Sequence, residues 1–270
     1  MFKAVVTDLD GTLLNAEHKV SEFTRKTVKL LLKKGIKFYI ATGRNYLGAK
    51  EAMDELGVQI PLITSHGSVA FDENGNEIFS NKLKREYLDK VLNIDYKSFG
   101  KDIIITGYAG PNWFVTEDLR EYFYNKKPDR TRYPQQITPE EFKKQGFTKI
   151  FFLGEDHDEL LELENEIKRV VGEENISLLF ANEGSLEVFP ADCNKAKAAE
   201  VVLERDGLTL KDAVSFGDGL NDYDLITQTG LGFAMGNSIY LLLEKLTDTE
   251  VIESNAEDGM AKKLRELFDL

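Results

Sequence analysis

Two aspartates near the start of this 270-residue chain, Asp8 and Asp10, have the spacing of a reactive pair. They follow the apolar run 4–6 at once, and Gly11 comes directly after them. If the extended conformation continues, both carboxylates lean to one side, and Gly11 lets the chain turn away. Such a pair can ligate Mg²⁺, act as acid and base, or supply a nucleophile. The alternative is a turn in which the carboxylates only accept hydrogen bonds from backbone amides.

A hydroxyl and a glycine follow the second apolar run. Thr42 and Gly43 come directly after residues 36–41 and precede a helical pattern that ends near Gly57. A threonine hydroxyl beside the free N–H groups of a helix start suits a phosphate oxygen. The alternative is that Thr42 is an ordinary helix N-cap with no ligand.

Hard oxygen ligands are concentrated after a later apolar run, 213–216. Asp218, Asn221 and Asp222 lie within five residues, and neighbouring glycines allow close backbone approach. This set suits Mg²⁺, and the alternative is a polar turn that caps a helix. Lys195, at the start of a predicted helix, can supply a point cation for phosphate or can be an ordinary surface lysine.

The elements that must position these residues alternate along the chain. Strand and helix patterns alternate over 1–82 and again over 188–270, which predicts an α/β fold with a doubly wound, Rossmann-like parallel sheet. Residues 83–187 instead predict several strands and a few helices, which is typical of an α+β unit. We therefore predict one core domain, 1–82 and 188–270, interrupted by an inserted α+β domain, 83–187.

Each acidic or hydroxyl cluster falls at the carboxyl end of a predicted core strand, and Lys195 begins a helix where the core resumes. Ligands of open α/β sheets bind at that edge, so we expect the groups to meet there. Together they would supply a nucleophilic carboxylate, a second carboxylate, a hydroxyl, an ammonium group and Mg²⁺ ligands. Phosphoryl transfer needs this set of groups to position the phosphoryl group and neutralise its oxygens.

Composition excludes several classes of function. Lys and Arg number 34 against 47 Asp and Glu, and the net charge of −13 repels nucleic-acid backbones. A single cysteine, Cys193, excludes a disulfide scaffold and a cysteine zinc site. The N-terminus lacks a signal-peptide pattern, and no apolar run reaches the roughly 18–20 residues of a membrane helix. We predict a cytoplasmic protein with neither nucleic acid nor membrane as partner.

The four polar motifs resemble, in order, those of the haloacid dehalogenase (HAD) superfamily. The resemblance is to its Cof-type phosphatase branch, in which a large α+β cap is inserted after the third core strand. It spans the whole predicted core and includes the final segment 255–259. The matching positions are residues 8–14, residues 41–44, Lys195 and residues 217–222. The chain departs from the pattern at His66-Gly67-Ser68, where the branch often has Asn-Gly-Ala, and at Ala196, which often is glycine there.

The resemblance implies a role for each motif residue. Asp8 would be the nucleophile and Asp10 the general acid and base. Mg²⁺ would be held by the side chains of Asp8 and Asp218 and by the backbone carbonyl of Asp10. Asp222 would lie near the metal or orient the lysine. The residues implied to bind the phosphoryl group are Thr42, Gly43, Lys195 and Asn221.

The implied substrate is a small phosphorylated metabolite, with sugar phosphates as the leading class and phosphorylated cofactors such as flavin mononucleotide or pyridoxal phosphate left open. One alternative is a phosphomutase that uses the same aspartyl-phosphate on sugar phosphates. Another is a non-hydrolytic receiver protein with a phosphorylated aspartate. Release of inorganic phosphate from a monoester distinguishes a phosphatase from both alternatives.

Three further features lie outside the motifs. His66 follows the predicted third core strand, where it either lines the cleft or makes a structural hydrogen bond. Trp113 is expected in the core of the insert. Residues 120–149 hold eight basic against four acidic residues, which is either a surface that attracts anionic substrates or a solvated face.

Overall fold

The computed structural model describes residues 2–110, 112–119 and 133–270. They form two compact units: the chain up to Phe79 with Asn194–Leu270, and Ser80–Cys193. The predicted limits of the insert, 83 and 187, both fall inside the second unit. Most of the basic residues that the sequence places over 120–149 belong to 120–132, outside the described residues.

The strands divide between two sheets. In chain order they are β1 (Ala4–Thr7), β2 (Lys37–Ala41), β3 (Leu62–Thr64), β4 (Val69–Phe71), β5 (Glu77–Ser80), β6 (Ile104–Ala109), β7 (Asn112–Val115), β8 (Gln135–Gln136), β9 (Lys149–Leu153), β10 (Ile176–Asn182), β11 (Ser185–Pro190), β12 (Ala213–Gly217), β13 (Leu231–Ala234) and β14 (Glu250–Val251).

The α-helices of the described residues follow the same alternation. In chain order they are α1 (Glu22–Lys33), α2 (Tyr46–Leu56), α3 (Arg85–Leu92), α4 (Pro139–Lys143), α5 (His157–Val171), α6 (Lys195–Glu204), α7 (Tyr223–Gln228), α8 (Tyr240–Lys245) and α9 (Gly259–Phe268). None of these helices is long and apolar enough to cross a bilayer.

The first unit is built on a sheet with the order β14-β13-β12-β1-β2-β3-β4-β5. The pairs from β14 to β3 run parallel, and β4 joins β3 antiparallel. β1 is central and fully buried, so its carboxyl end, where Asp8 follows, lies between the ends of β2 and β12. The predicted α/β fold with a parallel-sheet core is confirmed.

Helices cover both faces of this sheet, as a doubly wound fold requires. On one face α1, α2 and α9 pack against residues such as Val5 and Phe38. On the other face α6 packs against residues such as Val6 and Tyr39. Ser21 caps α1, since its hydroxyl accepts a hydrogen bond from a backbone N–H of the first turn.

The second unit has a sheet with the order β10-β11-β9-β6-β7-β8, antiparallel except for β7 with β8. Helices α3, α4 and α5 supply apolar side chains to one hydrophobic core of this unit. A separate apolar cluster contains Phe151, Leu153 and Val115, and Trp113 packs against it. The indole N–H of Trp113 donates to Thr106 Oγ1 at 2.6 Å, so the ring is fixed within the unit.

Two elements of the first unit are not evident from the sequence pattern. A 3₁₀ turn, Leu220–Asp222, precedes α7. Helix α8 was not predicted, because Tyr240 and Leu241 are exposed and its apolar residues do not follow a one-sided helical pattern.

Candidate active site

A buried lysine joins two aspartates at the carboxyl edge of the first unit's sheet. Lys195 Nζ lies 2.5 Å from Asp8 Oδ1 and 2.6 Å from Asp222 Oδ1, and the lysine is only 1% exposed. A charged amine this deeply buried requires partners of opposite charge. The alternative interpretation of Lys195 as a surface lysine is therefore wrong.

Asp222 holds both the lysine and the loop after β12. Its Oδ1 accepts from Lys195, and its Oδ2 accepts from the backbone N–H groups of Asp218 and Gly219, each at 3.0 Å. A Cβ on Gly217 would overlap the Asp222 side chain, so glycine is required for this approach. With both oxygens engaged, Asp222 fits the expected role of orienting Lys195 better than that of a metal ligand.

Asp218 faces the loop that follows β1. Its Oδ1 accepts from Thr12 Oγ1 at 2.9 Å. Gly11 has a left-handed φ of +75°, and a Cβ there would overlap the Asp218 carboxylate. Glycine at position 11 is thus required by the backbone conformation and by the close approach of Asp218.

Three carboxylates crowd together beside the single ammonium group. Asp8, Asp218 and Asp222 each offer an oxygen within 4.8 Å of the others. Burial raises the pKa of Asp8 well above its usual range; Lys195 opposes this, and the two neighbouring carboxylates add to it. Burial and the charge of Asp222 raise the pKa of Asp218 to about 6. The surplus negative charge and the all-oxygen donor set suit a hard divalent cation.

Asp10 has a different partner from Asp8. Arg44 donates from Nε to Asp10 Oδ2 at 2.7 Å and from Nη2 to Asp10 Oδ1 at 2.5 Å, and His18 Nδ1 lies 3.8 Å from Asp10 Oδ1. Burial disfavours the charged guanidinium, but the Asp10 carboxylate outweighs it and raises the pKa of Arg44. The Asp10 side chain is outside the three-carboxylate cluster, so only its backbone carbonyl could serve the metal as the resemblance implies.

Thr42 is buried at the end of β2, and it does not cap the following helix. Helix α2 begins at Tyr46, and its N-cap is Asn45, whose side chain accepts from the Gly48 N–H at 2.9 Å. Thr42 Oγ1 instead accepts from the Arg44 N–H at 3.1 Å. The helix N-cap interpretation of Thr42 is therefore wrong, and its hydroxyl hydrogen can still donate to a ligand.

Asn221 and Gly43 meet at His66, which is buried. The Asn221 Nδ2 and His66 Nδ1 atoms are 3.2 Å apart, and the His66 ring packs against Gly43. The structure thus divides the eight predicted site residues into three sets. Asp8, Asp218 and Asp222 form the carboxylate cluster beside Lys195; Asp10 pairs with Arg44 beside Thr42; Gly43 and Asn221 join through His66.

The sequence analysis gave no role to two asparagines that hold the loop after β1. Asn237 Nδ2 donates to the Gly11 carbonyl at 2.8 Å, and its Oδ1 accepts from the Asn255 N–H at 2.9 Å. Asn255 Nδ2 donates to the Leu14 carbonyl at 2.8 Å. Two signals were available: Asn237 follows β13 at the same edge of the sheet, and Asn255 begins the segment 255–259 of the resemblance.

Comparison with known proteins agrees with this geometry. A family model of haloacid dehalogenase-like hydrolases matches residues 5–264, and the chain belongs to this family. It is 36% identical over 276 residues to a Buchnera aphidicola subsp. Baizongia pistaciae protein named "Putative phosphatase", covering 99% of both chains. It is 28% identical to an HMP-PP phosphatase of Serratia proteamaculans, covering 98% of this chain and 95% of the relative.

A solved structure extends the comparison to the whole fold. A HAD subclass IIB sugar phosphatase superposes with a TM-score of 0.82 at 21% identity, covering 99% of this chain and 100% of the other. The predicted superfamily and its Cof-type branch are confirmed, and the chain is a phosphatase that acts on a small phosphorylated substrate. Phosphatases of this superfamily generally use a divalent metal, for which the carboxylate cluster offers ligands.

Proposed function

We propose that the chain hydrolyses phosphate monoesters of small metabolites, sugar phosphates first among them, with Asp8 as nucleophile and Mg²⁺ as cofactor. The observation that carries the proposal is the contact of 2.5 Å between Lys195 Nζ and Asp8 Oδ1 at the end of the central strand. The lysine fixes the carboxylate and places a positive charge where phosphoryl oxygens would arrive.

In the proposed reaction one carboxylate acts as the nucleophile and the other transfers the protons. An oxygen of Asp8 attacks phosphorus, the bond to the leaving oxygen breaks, and Asp10 donates a proton to that oxygen. Asp10 then takes a proton from water, whose oxygen attacks the aspartyl-phosphate and releases inorganic phosphate and Asp8. The hydrogen bonds from Arg44 hold the Asp10 side chain in one orientation.

Mg²⁺ is supported by the chemistry of the donors. Asp8 and Asp218 offer carboxylate oxygens, which Mg²⁺ prefers together with several retained waters. When bound, the ion would neutralise charge on the transferred phosphoryl group. We propose Asp8, Asp218 and the backbone carbonyl of Asp10 as its ligands, and Asp222 as the residue that orients Lys195.

The phosphoryl oxygens would be bound by groups from three strand ends. Lys195 supplies an ammonium group, and Thr42 supplies a hydroxyl hydrogen. Gly43 has no side chain to obstruct its backbone, and Asn221 carries a side-chain amide. We propose these four residues as the phosphoryl-binding set.

We propose that the inserted unit, taken as residues 83–187 between the core segments 1–82 and 188–270, is a cap that selects the substrate. The support is the resemblance to the Cof-type branch, together with a sheet and core of its own. The substrates in the names of the relatives, HMP-PP and sugar phosphates, define which compounds to test first.

The test is a panel of phosphorylated metabolites incubated with Mg²⁺ and assayed for inorganic phosphate. The panel contains sugar phosphates, flavin mononucleotide, pyridoxal phosphate and HMP-PP. We expect release from at least one sugar phosphate and none with Asp8→Asn, whose side chain is a poor nucleophile. Isomerised sugar phosphate without phosphate release would indicate a mutase, and a stable phosphorylated Asp8 would indicate a receiver. Unchanged turnover by Asp8→Asn would contradict the proposed nucleophile.

A further inference from the structure

Three residues in succession after β3 take left-handed backbone conformations. The φ angles are 49° at Ser65, 57° at His66 and 93° at Gly67, and only glycine adopts such angles freely. The turn is held by two backbone hydrogen bonds, from Ser65 N–H to the Arg44 carbonyl at 2.8 Å and from His66 N–H to the Thr42 carbonyl at 3.1 Å. A strained turn is thus fixed to the loop that carries proposed phosphoryl-binding residues.

The side chain of His66 contacts two proposed phosphoryl-binding residues. Its ring lies where a Cβ on Gly43 would be, so the ring covers that glycine directly. Its Nδ1 lies 3.2 Å from Asn221 Nδ2. His66 is 5% exposed, so both contacts are sheltered from solvent. One imidazole therefore connects the loop after β2 with the loop after β12.

The same turn also contacts the start of α6. A Cβ on Gly67 would overlap the backbone carbonyl of Asn194, so the two chains approach closely there. Asn194 is the N-cap of α6, since its side chain accepts from the Lys197 N–H at 2.8 Å. Lys195, the first residue of that helix, follows immediately. The His66 turn is thus in contact with two of the four motifs and with the N-cap residue that precedes Lys195.

We propose that His66 is a positioning residue of the phosphatase reaction: its Nδ1 fixes the Asn221 amide and its ring seats Gly43, which keeps the phosphoryl-binding groups after β2 and β12 at a constant separation. The inference rests on the proposed function, because it takes Gly43 and Asn221 as phosphoryl-binding groups. Small misplacements of such groups reduce stabilisation of the transition state more than binding of the substrate. Loss of His66 should therefore lower kcat and change KM little.

Two matched substitutions separate the Nδ1 contact from the size of the side chain. Asparagine places its amide where Nδ1 lies and tolerates a left-handed φ. Glutamine carries the same amide one carbon farther, near the position of Nε2. We expect His66→Asn to keep kcat within about threefold and His66→Gln to lower it on the order of 10- to 100-fold, with KM nearly constant in both. Equal kcat values for the wild type and both variants would overturn the proposal.

A double-mutant cycle tests whether His66 acts through Asn221. We expect His66→Gln combined with Asn221→Ala to lower kcat no further than Asn221→Ala alone, because the second change removes the partner of the first. Losses that multiply in the double variant would mean that His66 acts independently of Asn221. Thermal melting of each variant identifies a loss that comes only from unfolding.

Nitrogen-15 NMR of the histidine ring provides a readout that needs no activity. We expect the Nδ1 resonance of His66 to shift in Asn221→Ala and the resonances of His18 and His157 to stay in place. An unchanged Nδ1 resonance of His66 in Asn221→Ala would contradict the contact between the two side chains. If the wild-type protein releases no phosphate from any monoester while the resonance does shift, the proposed function has failed and the contact between His66 and Asn221 stands.

Discussion

Each of the two units buries a lysine against a carboxylate, but the two lysines have different surroundings. In the first unit Lys195 is 1% exposed and lies at the start of α6 between Asp8 and Asp222. In the second unit Lys149 is 3% exposed and lies on β9, with its Nζ 2.7 Å from Glu187 Oε1.

The charge balance around each lysine is the informative difference. In the described part of the chain, Lys149 forms an ion pair with Glu187, and its ammonium group lies 5.6 Å from the centres of the Tyr108 and Phe151 rings. The two charges of this ion pair offset each other, and cation–π contacts add to the environment of the ammonium group. Around Lys195 three carboxylates crowd together, which leaves negative charge for a cation to neutralise. This excess of carboxylates favours a cation at the candidate active site.

Matched substitutions of Lys195 and Lys149 should give the largest difference between the two units, which is a difference in kcat. Replacing either by methionine removes the ammonium partner of a buried carboxylate and should destabilise its unit by about 3–5 kcal/mol. Only Lys195→Met should also lower the kcat of the folded protein, by on the order of 10²–10³-fold, since one charge-stabilising group is lost. Phosphate-release assays below the melting temperature measure this. A comparable loss of kcat in Lys149→Met would contradict the distinction.

Removing both members of the Lys149–Glu187 pair should have a smaller effect. Lys149→Met combined with Glu187→Leu replaces a buried ion pair by apolar side chains, a change that is often neutral or stabilising by about 1–4 kcal/mol. We expect the double variant to melt at or above the temperature of the wild type and clearly above Lys149→Met. Chemical denaturation measures the free energies of unfolding. If the double variant is as unstable as the single one, apolar replacement of Glu187 does not offset the loss of Lys149, and the expectation is wrong.

The partly exposed hydrogen-bond network around Asp206, on the first unit, should have the smallest effect, which is on the melting temperature. Burial tends to raise the pKa of Asp206, but hydrogen bonds from Lys37, at 2.7 Å, and from Tyr39 outweigh it and hold that pKa below its ordinary value. A lowered pKa stabilises the fold above the unfolded-state value of about 3.9, and the contribution disappears as pH falls through the folded-state value. Asp206→Asn should therefore melt slightly below the wild type at pH 7, and the two melting temperatures should converge below about pH 4. A difference between the two melting temperatures that grows as the pH falls would contradict the lowered pKa of Asp206.

The local signals of the sequence were sufficient for the fold class and for the motif positions. Apolar periodicity and caps such as Ser21 are encoded within a few residues, and the carboxyl ends of parallel strands necessarily share one edge. For this reason Asp8 and Asp218 could be placed together before any contact was known, and the resemblance to the superfamily added Lys195. Their individual roles stay predictions.

Features that depend on contacts between distant segments could not be predicted. Asp10 was expected to lean with Asp8, but the turn through Gly11 leaves it paired with Arg44, 34 residues away. Thr42 and Asn45 are equally good capping residues in sequence, and only the folded loop makes Asn45 the cap. The contact between His66 and Asn221 spans 155 residues and leaves no local pattern.

Direct measurement of Mg²⁺ binding tests the central claim, that the surplus carboxylates around Lys195 form a metal and phosphoryl site. Isothermal titration calorimetry would compare the wild type with Asp218→Asn, and with Asp224→Asn as a control outside the cluster. We expect one Mg²⁺ per chain in the wild type and the control, and an affinity lower by on the order of 10- to 100-fold in Asp218→Asn. No Mg²⁺ binding by the wild type, or equal binding by all three proteins, would contradict the account.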